Sequence, residues 1–135
     1  DKVVPPPTPG VRVVHEGNGD GAAGERVLAN RVDVADSLLA RGRGLMFRRS
    51  VPEDYALVFP FRRVATRGLH MVFVPFAVDA VWTVDGEVTA TKRLSAWTGH
   101  GRARADVVYE LPAGAADGVR EGDRVVRAGE SGTPK

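Results

Sequence analysis

Cysteine is absent from the 135 residues, which removes disulfides, thiolate metal sites and cysteine nucleophiles together and leaves the redox compartment open. Histidine is scarce, and the spacing of His15, His70 and His100 matches no zinc pattern, so neither a metal nor a cofactor is expected. The serines at 37, 50 and 95 lack a G-x-S-x-G context, and there is no P-loop or G-x-G-x-x-G before a helix. Strong net charge is lacking as well. Nineteen basic residues against seventeen acidic ones leave +2, too little to imply a polyanion, so nucleic acid is not an expected partner. No stretch of eighteen apolar residues runs without a charge, and the N-terminus lacks the basic, apolar, small-residue order of a signal peptide. No membrane span is expected. The cytoplasm is the default location, with export or anchoring left open because the sequence starts at Asp1.

What is present is a chain long enough for one domain with a core of its own. The richest stretch is LHMVFVPFAVDAVWTV at 69–84, interrupted singly by His70, Asp79 and Thr83. Its β-branched and aromatic content, broken by Pro75, reads as two successive strands buried on both faces in the middle of a sheet. Around it the reading is mainly β. Residues 1–10, with four prolines, form a flexible arm. Val11 to Glu16 and Glu25 to Val34 flank a glycine-rich reversal and pair as a hairpin with His15 solvated beside its tip. Asp36 and Ser37 cap a short helix near 37–44. Tyr55 to Phe59 alternates as a strand that Pro60 ends, and residues 61–68 form a basic loop. Asp85-Gly86 closes a tight hairpin between Val84 and Glu87. Residues 95–105 read as a long irregular loop, and Asp106 to Leu111 alternates with Val107, Tyr109 and Leu111 on one side and Glu110 on the other. A helical turn near 113–118, a final strand after Gly122 and a tail at 129–135 complete the chain. The expected architecture for 11–128 is one compact β-barrel or a jelly-roll-like two-sheet sandwich, monomeric.

The order VDVADS, RGRGLMFRRSVPED, ALVFPF, HMVFVPFAVDAVWTVDGEV and YELPAGAADGVREGDRV resembles the prokaryotic domain of unknown function 192 family, also called uncharacterised protein family 0127. The resemblance runs over nearly all of 11–128. It implies a small, mainly β domain of jelly-roll-like character with no established activity. Gly44, Leu45, Met46, Arg48, Met71 and Asp79 fall on the family pattern. Many members carry Trp-Met-Lys-Asn where this chain has His70-Met71-Val72-Phe73, and many carry a cysteine-containing loop where it has SAWTGHGRARA. Lysine or cysteine chemistry is therefore not open to it.

Asp79 is the sharpest anomaly, because a carboxylate in so apolar a run must find an arginine or backbone N–H groups, or else line a site. His70, on the parity of Val72 and Val74, is expected to be a hydrogen-bonded core histidine; paired with Asp79 it would be a general acid or base. Arg41, Arg43, Arg48, Arg49, Arg62, Arg63 and Arg67 crowd 27 residues whose only acids are Glu53 and Asp54. Of these, Arg48, Arg49, Arg62 and Arg63 are the anion-binding candidates, provided they share a face. The expected function is that of a non-enzymatic binding or accessory module for a small ligand, with carbohydrate the first class to try, or for a protein partner. Trp97, His100, Arg102 and Arg104 would form one wall of the ligand site. The alternatives are a small enzyme using His70 and Asp79, and an anion or nucleic-acid binder through residues 41–67.

Overall fold

The computed structural model describes residues 10–17, 24–35 and 44–129. Eight strands, β1 (Val11–Glu16), β2 (Glu25–Ala29), β3 (Arg31–Val34), β4 (Tyr55–His70), β5 (Val78–Val84), β6 (Glu87–Leu94), β7 (His100–Pro112) and β8 (Arg124–Gly129), form one sheet in the order β2-β1-β8-β6-β5-β7-β4-β3. Every pairing is antiparallel except β3 with β4. The mainly β reading stands, as one open sheet whose edges are β2 and β3. These two edge strands are separated in sequence only by Asn30, where the expected single strand over Glu25 to Val34 divides. Leu28 and Ala29 of one edge and Val32 of the other pack in one cluster with Val13, Val58, Val81, Tyr109, Leu111 and Val125. A sheet can gather both its edges onto one core only by rolling around it, which is how right-handed twist accumulates over eight strands. The opposite face carries a second cluster, with Leu57, Phe59, Val78, Ala80, Trp82 and Val108, covered by Leu45, Met71 and Val74 from loops.

Several boundaries depart from expectation. Pro60 does not end its strand: β4 continues to His70, and the pairing with β7 shifts register between Pro60 and Ala65. A bulge is where a strand tolerates a residue with no N–H to donate. The basic segment 61–68 is therefore strand, and so is most of 95–105, because β7 begins at His100 and pairs residue by residue back along β4. Glycine and arginine alternating in HGRARA hid a strand whose exposed positions are 100, 102 and 104. Of Leu69 to Val84, Leu69 and His70 end β4 and Val78 to Val84 form β5, and the segment between them is not strand. Residues 71–77 form turns that leave Val72 and Phe73 exposed, while Met71 and Val74 plug the second cluster. The Asp85-Gly86 hairpin is as expected, with φ of 52° and 84° giving the twist-matched two-residue turn. At 113–118 there is no helix but a run of turns, bonded from Ala115 to Pro112, Asp117 to Gly114 and Val119 to Ala116. The helix expected near 37–44 falls mostly outside the described residues, as do the N-terminal arm over 1–9 and the tail over 130–135. His15 is not solvated: it is buried, with Nε2 2.7 Å from Asp123 Oδ2, which also accepts the Arg120 N–H at 3.0 Å.

Candidate functional site

Glu110 lies in the middle of β7, opposite Leu57 on one side and Ala80 on the other. Because β5 is buried on both faces, residues 108–111 of β7 beside it are buried as well, and the Glu110 side chain is only 5% exposed. It points into the face of the second cluster. Among the described residues its Oε1 has no hydrogen-bond partner. Burial pushes the carboxyl up to about 8, with the nearby Arg48 charge partly opposing the rise. Arg48 itself is engaged elsewhere: its guanidinium lies 5.2 Å from the Tyr55 ring centroid and 4.0 Å from Asp33 Oδ2, which accepts the Tyr55 hydroxyl at 2.9 Å. Burial raises the Tyr55 hydroxyl pKa.

Above Glu110 opens a cleft of about 60 Å³, walled by Met46, Phe59, Leu69, Met71 and Val74, with His70 and Gly44 at its lining. Gly44 has φ +52°, and a Cβ there would stand 3.8 Å from Glu110 Oε1, so the glycine both permits the backbone turn and keeps the space over the carboxyl open. The volume admits a few water molecules or a ligand group of comparable size.

Three loops adjoin around this cleft and are tied backbone to backbone. The Phe47 N–H donates to Phe73 O at 2.8 Å, the Trp97 N–H to Val74 O at 2.9 Å, and the Met71 N–H to Gly99 O at 3.0 Å. Three of the residues at these ties are exposed aromatics with left-handed backbones: Phe47 at φ 70°, Phe73 at 60° and Trp97 at 67°. Bulky residues seldom adopt that conformation, and its strain collects at functional sites. Phe47 and Phe73 stack with centroids 4.8 Å apart.

Asp79 lies one pairing step from Glu110 but on the other face, sharing the parity of Val81. It accepts Arg93 Nε at 2.8 Å on Oδ1, and the Gly114 and Ala116 N–H groups at 2.9 and 3.0 Å on Oδ2. Arg93 in turn donates to Asp117 at 2.7 Å. The carboxylate pins the turns at 113–118 to the sheet. The structure does not bring His70 and Asp79 together: His70 lines the cleft and its Nδ1 accepts the Val72 N–H at 3.2 Å, whereas Asp79 faces away from the cleft. His70 is also exposed rather than a core residue.

Trp97 is 57% exposed. His100, Arg102 and Arg104 occupy the exposed positions of β7, opposite His70, Gly68 and Thr66, while Ala103 and Ala105 turn towards the second cluster. Of the anion candidates, Arg48 is tied to Asp33 and Tyr55, and Arg49, Arg62 and Arg63 are exposed. Arg41 and Arg43 fall outside the described residues. No group of three or more His, Asp or Glu among the described residues is placed to hold a metal, and no helix there is long and apolar enough to cross a membrane.

Residues 21–127 match the family of domains of unknown function 192, described as an uncharacterised ACR. The chain belongs to this family. No curated protein matches it. Among solved structures it is similar to a Sinorhizobium meliloti 1021 protein titled a "putative transcription regulator", at 24% identity and a TM-score of 0.70 over 88% of this chain and 93% of that one. It is also similar to a protein of unknown function from Novosphingobium aromaticivorans DSM 12444, at 20% identity and a TM-score of 0.69 over 85% and 83%. At these identities the likeness shows a shared fold. Within it, among the described residues, the buried carboxylates of Asp79 and Asp123 are answered and Glu110 Oε1 is not.

Proposed function

We propose that this member of the unknown-function 192 family is a non-enzymatic binding module for a small polar ligand, gripped in the Glu110 cleft. The carrying observation is Glu110 Oε1, a buried acceptor with no donor among the described residues, lining an opening. Leaving such an atom unanswered costs about 1 to 3 kcal/mol, which a ligand hydroxyl, amide or ammonium group would recover on binding. The walls are aliphatic and aromatic, so the entering group is a polar end on an apolar stem, or one hydroxyl of a sugar whose apolar face lies on the rim aromatics. With its proton retained near neutrality, the carboxyl offers both an O–H donor and an acceptor. The reading of His70 and Asp79 as an acid-base pair lacks support, because Asp79 faces away from the cleft and is committed to Arg93 and two backbone N–H groups.

A thermal-shift panel of monosaccharides and short primary amines tests this on the wild type and Glu110→Leu. At least one compound is expected to raise the wild-type melting temperature and leave the variant unmoved. A panel with no effect, or with equal effects on both proteins, contradicts the proposal.

A further inference from the structure

The net charge of +2 conceals a split. Residues 61–76 and 95–105, which make up the outer part of β4, the outer part of β7 and the loops at their far end, hold Arg62, Arg63, Arg67, Arg102 and Arg104 and not one Asp or Glu. That part carries +5 (five arginines, no acids), so the remainder carries 14 basic against 17 acidic residues, or −3. Arg67 is spent internally: it lies 3.9 Å over the Phe61 ring and donates to Arg63 O at 2.7 Å. The other four form no ion pair among the described residues, and all four are exposed. Arg102 and Arg104 share one face of the two-stranded arm with His100, and the residues facing them across the strand pairing are Gly68 and Thr66, small and uncharged. Side chains two apart on a strand repeat about every 6.8 Å, so the guanidinium groups form a row along the arm. At its far end, beyond the His70–His100 pair, stand Phe73 and Trp97, 50% and 57% exposed and held outward on left-handed backbones.

We propose that this arm binds single-stranded nucleic acid, with phosphates along Arg102 and Arg104 and unstacked bases on the aromatics at the tip. A row of unpaired arginines supplies the sequence-independent electrostatic term, and exposed aromatic rings supply stacking that is open only to bases not already stacked in a duplex. The arginine row stands apart from the Glu110 cleft, since Arg102 and Arg104 take exposed positions in the outer part of β7 and Glu110 a buried one in its inner part, and only the aromatics at the tip adjoin both.

The test is fluorescence anisotropy of the full chain with a labelled oligo-dT of about 20 nucleotides, its duplex with oligo-dA, and phosphatidylserine vesicles as competitor, across about 50 to 200 mM salt. The single strand is expected to bind more tightly than the duplex, losing at least about tenfold in affinity over that range. Arg102→Glu with Arg104→Glu is expected to weaken binding by about tenfold or more and flatten the salt dependence. Trp97→Ala should weaken binding several-fold and leave the salt dependence as it was. The charge-matched control Arg120→Glu with Arg127→Glu should bind as wild type. Absence of binding at low salt, an unaffected Arg102/Arg104 double variant, or preference for the duplex or the vesicles would overturn the proposal.

Discussion

Asp79 and Glu110 are carboxyls on adjacent strands, one pairing step apart, both nearly inaccessible to water, and they have opposite fates. Asp79 is met by an arginine and two backbone N–H groups and fastens a loop to the sheet. Glu110 faces the other way into methionine, phenylalanine and valine, and among the described residues its Oε1 is left without a donor. Burial alone therefore does not mark a site. A buried carboxylate that is fully hydrogen-bonded serves the fold, and one that keeps its proton for want of a partner, beneath an opening, is held at a cost to stability that function must justify.

The largest expected effect is the pH dependence that only Glu110 should create. Its folded pKa lies at about 8, above the ordinary 4.5, so between those values the folded protein binds a proton that the unfolded chain does not. Stability accordingly falls as pH rises from about 5 to 8 and levels off above that, by on the order of several kcal/mol. Glu110→Gln should remove this slope, and urea denaturation at pH 5.5 and 8.5 measures it: the variant gains on the wild type as pH rises. Asp79→Ala should come next. It leaves the Gly114 and Ala116 N–H groups without their acceptor and should cost about 3 kcal/mol in the same denaturation series. Asp79→Asn keeps one acceptor oxygen and loses the charge-assisted bond to Arg93, so about 1 to 2 kcal/mol is expected, with a lower melting temperature. A melting temperature for Asp79→Asn at or above wild type would erase the contrast between the two carboxyls. The smallest effect belongs to Trp97→Ala, whose ring is mostly in water: stability should change by less than about 0.5 kcal/mol.

Much of the fold was legible, and the failures have physical causes. Val78 to Val84 declared itself a central strand by being apolar on both faces, and Asp85-Gly86 declared its hairpin by tolerating positive φ at both positions. Asp79 announced a partner for the same reason. Pro60, glycine and arginine misled, because β4 and β7 support each other across a bulge: residues with poor strand character become strand when the opposite strand supplies the ladder. Met71 to Ala77 misled in the opposite sense, since apolar residues that plug a core from a loop cannot be told by composition from residues in a strand. Glu110 was missed because alternation within β7 was read alone. The signal that could have found it is the neighbouring strand, whose two buried faces leave no solvated side to the strand beside it.

The direct test of the contrast is the titration of the Glu110 side-chain carboxyl itself, followed through its ¹³C chemical shift between pH 4 and 10 in the folded wild-type protein. An inflection at about 8, absent in Glu110→Gln, is the predicted result. An inflection in the ordinary range near 4.5 would contradict it, because a buried carboxyl that ionises there has a partner for its charge.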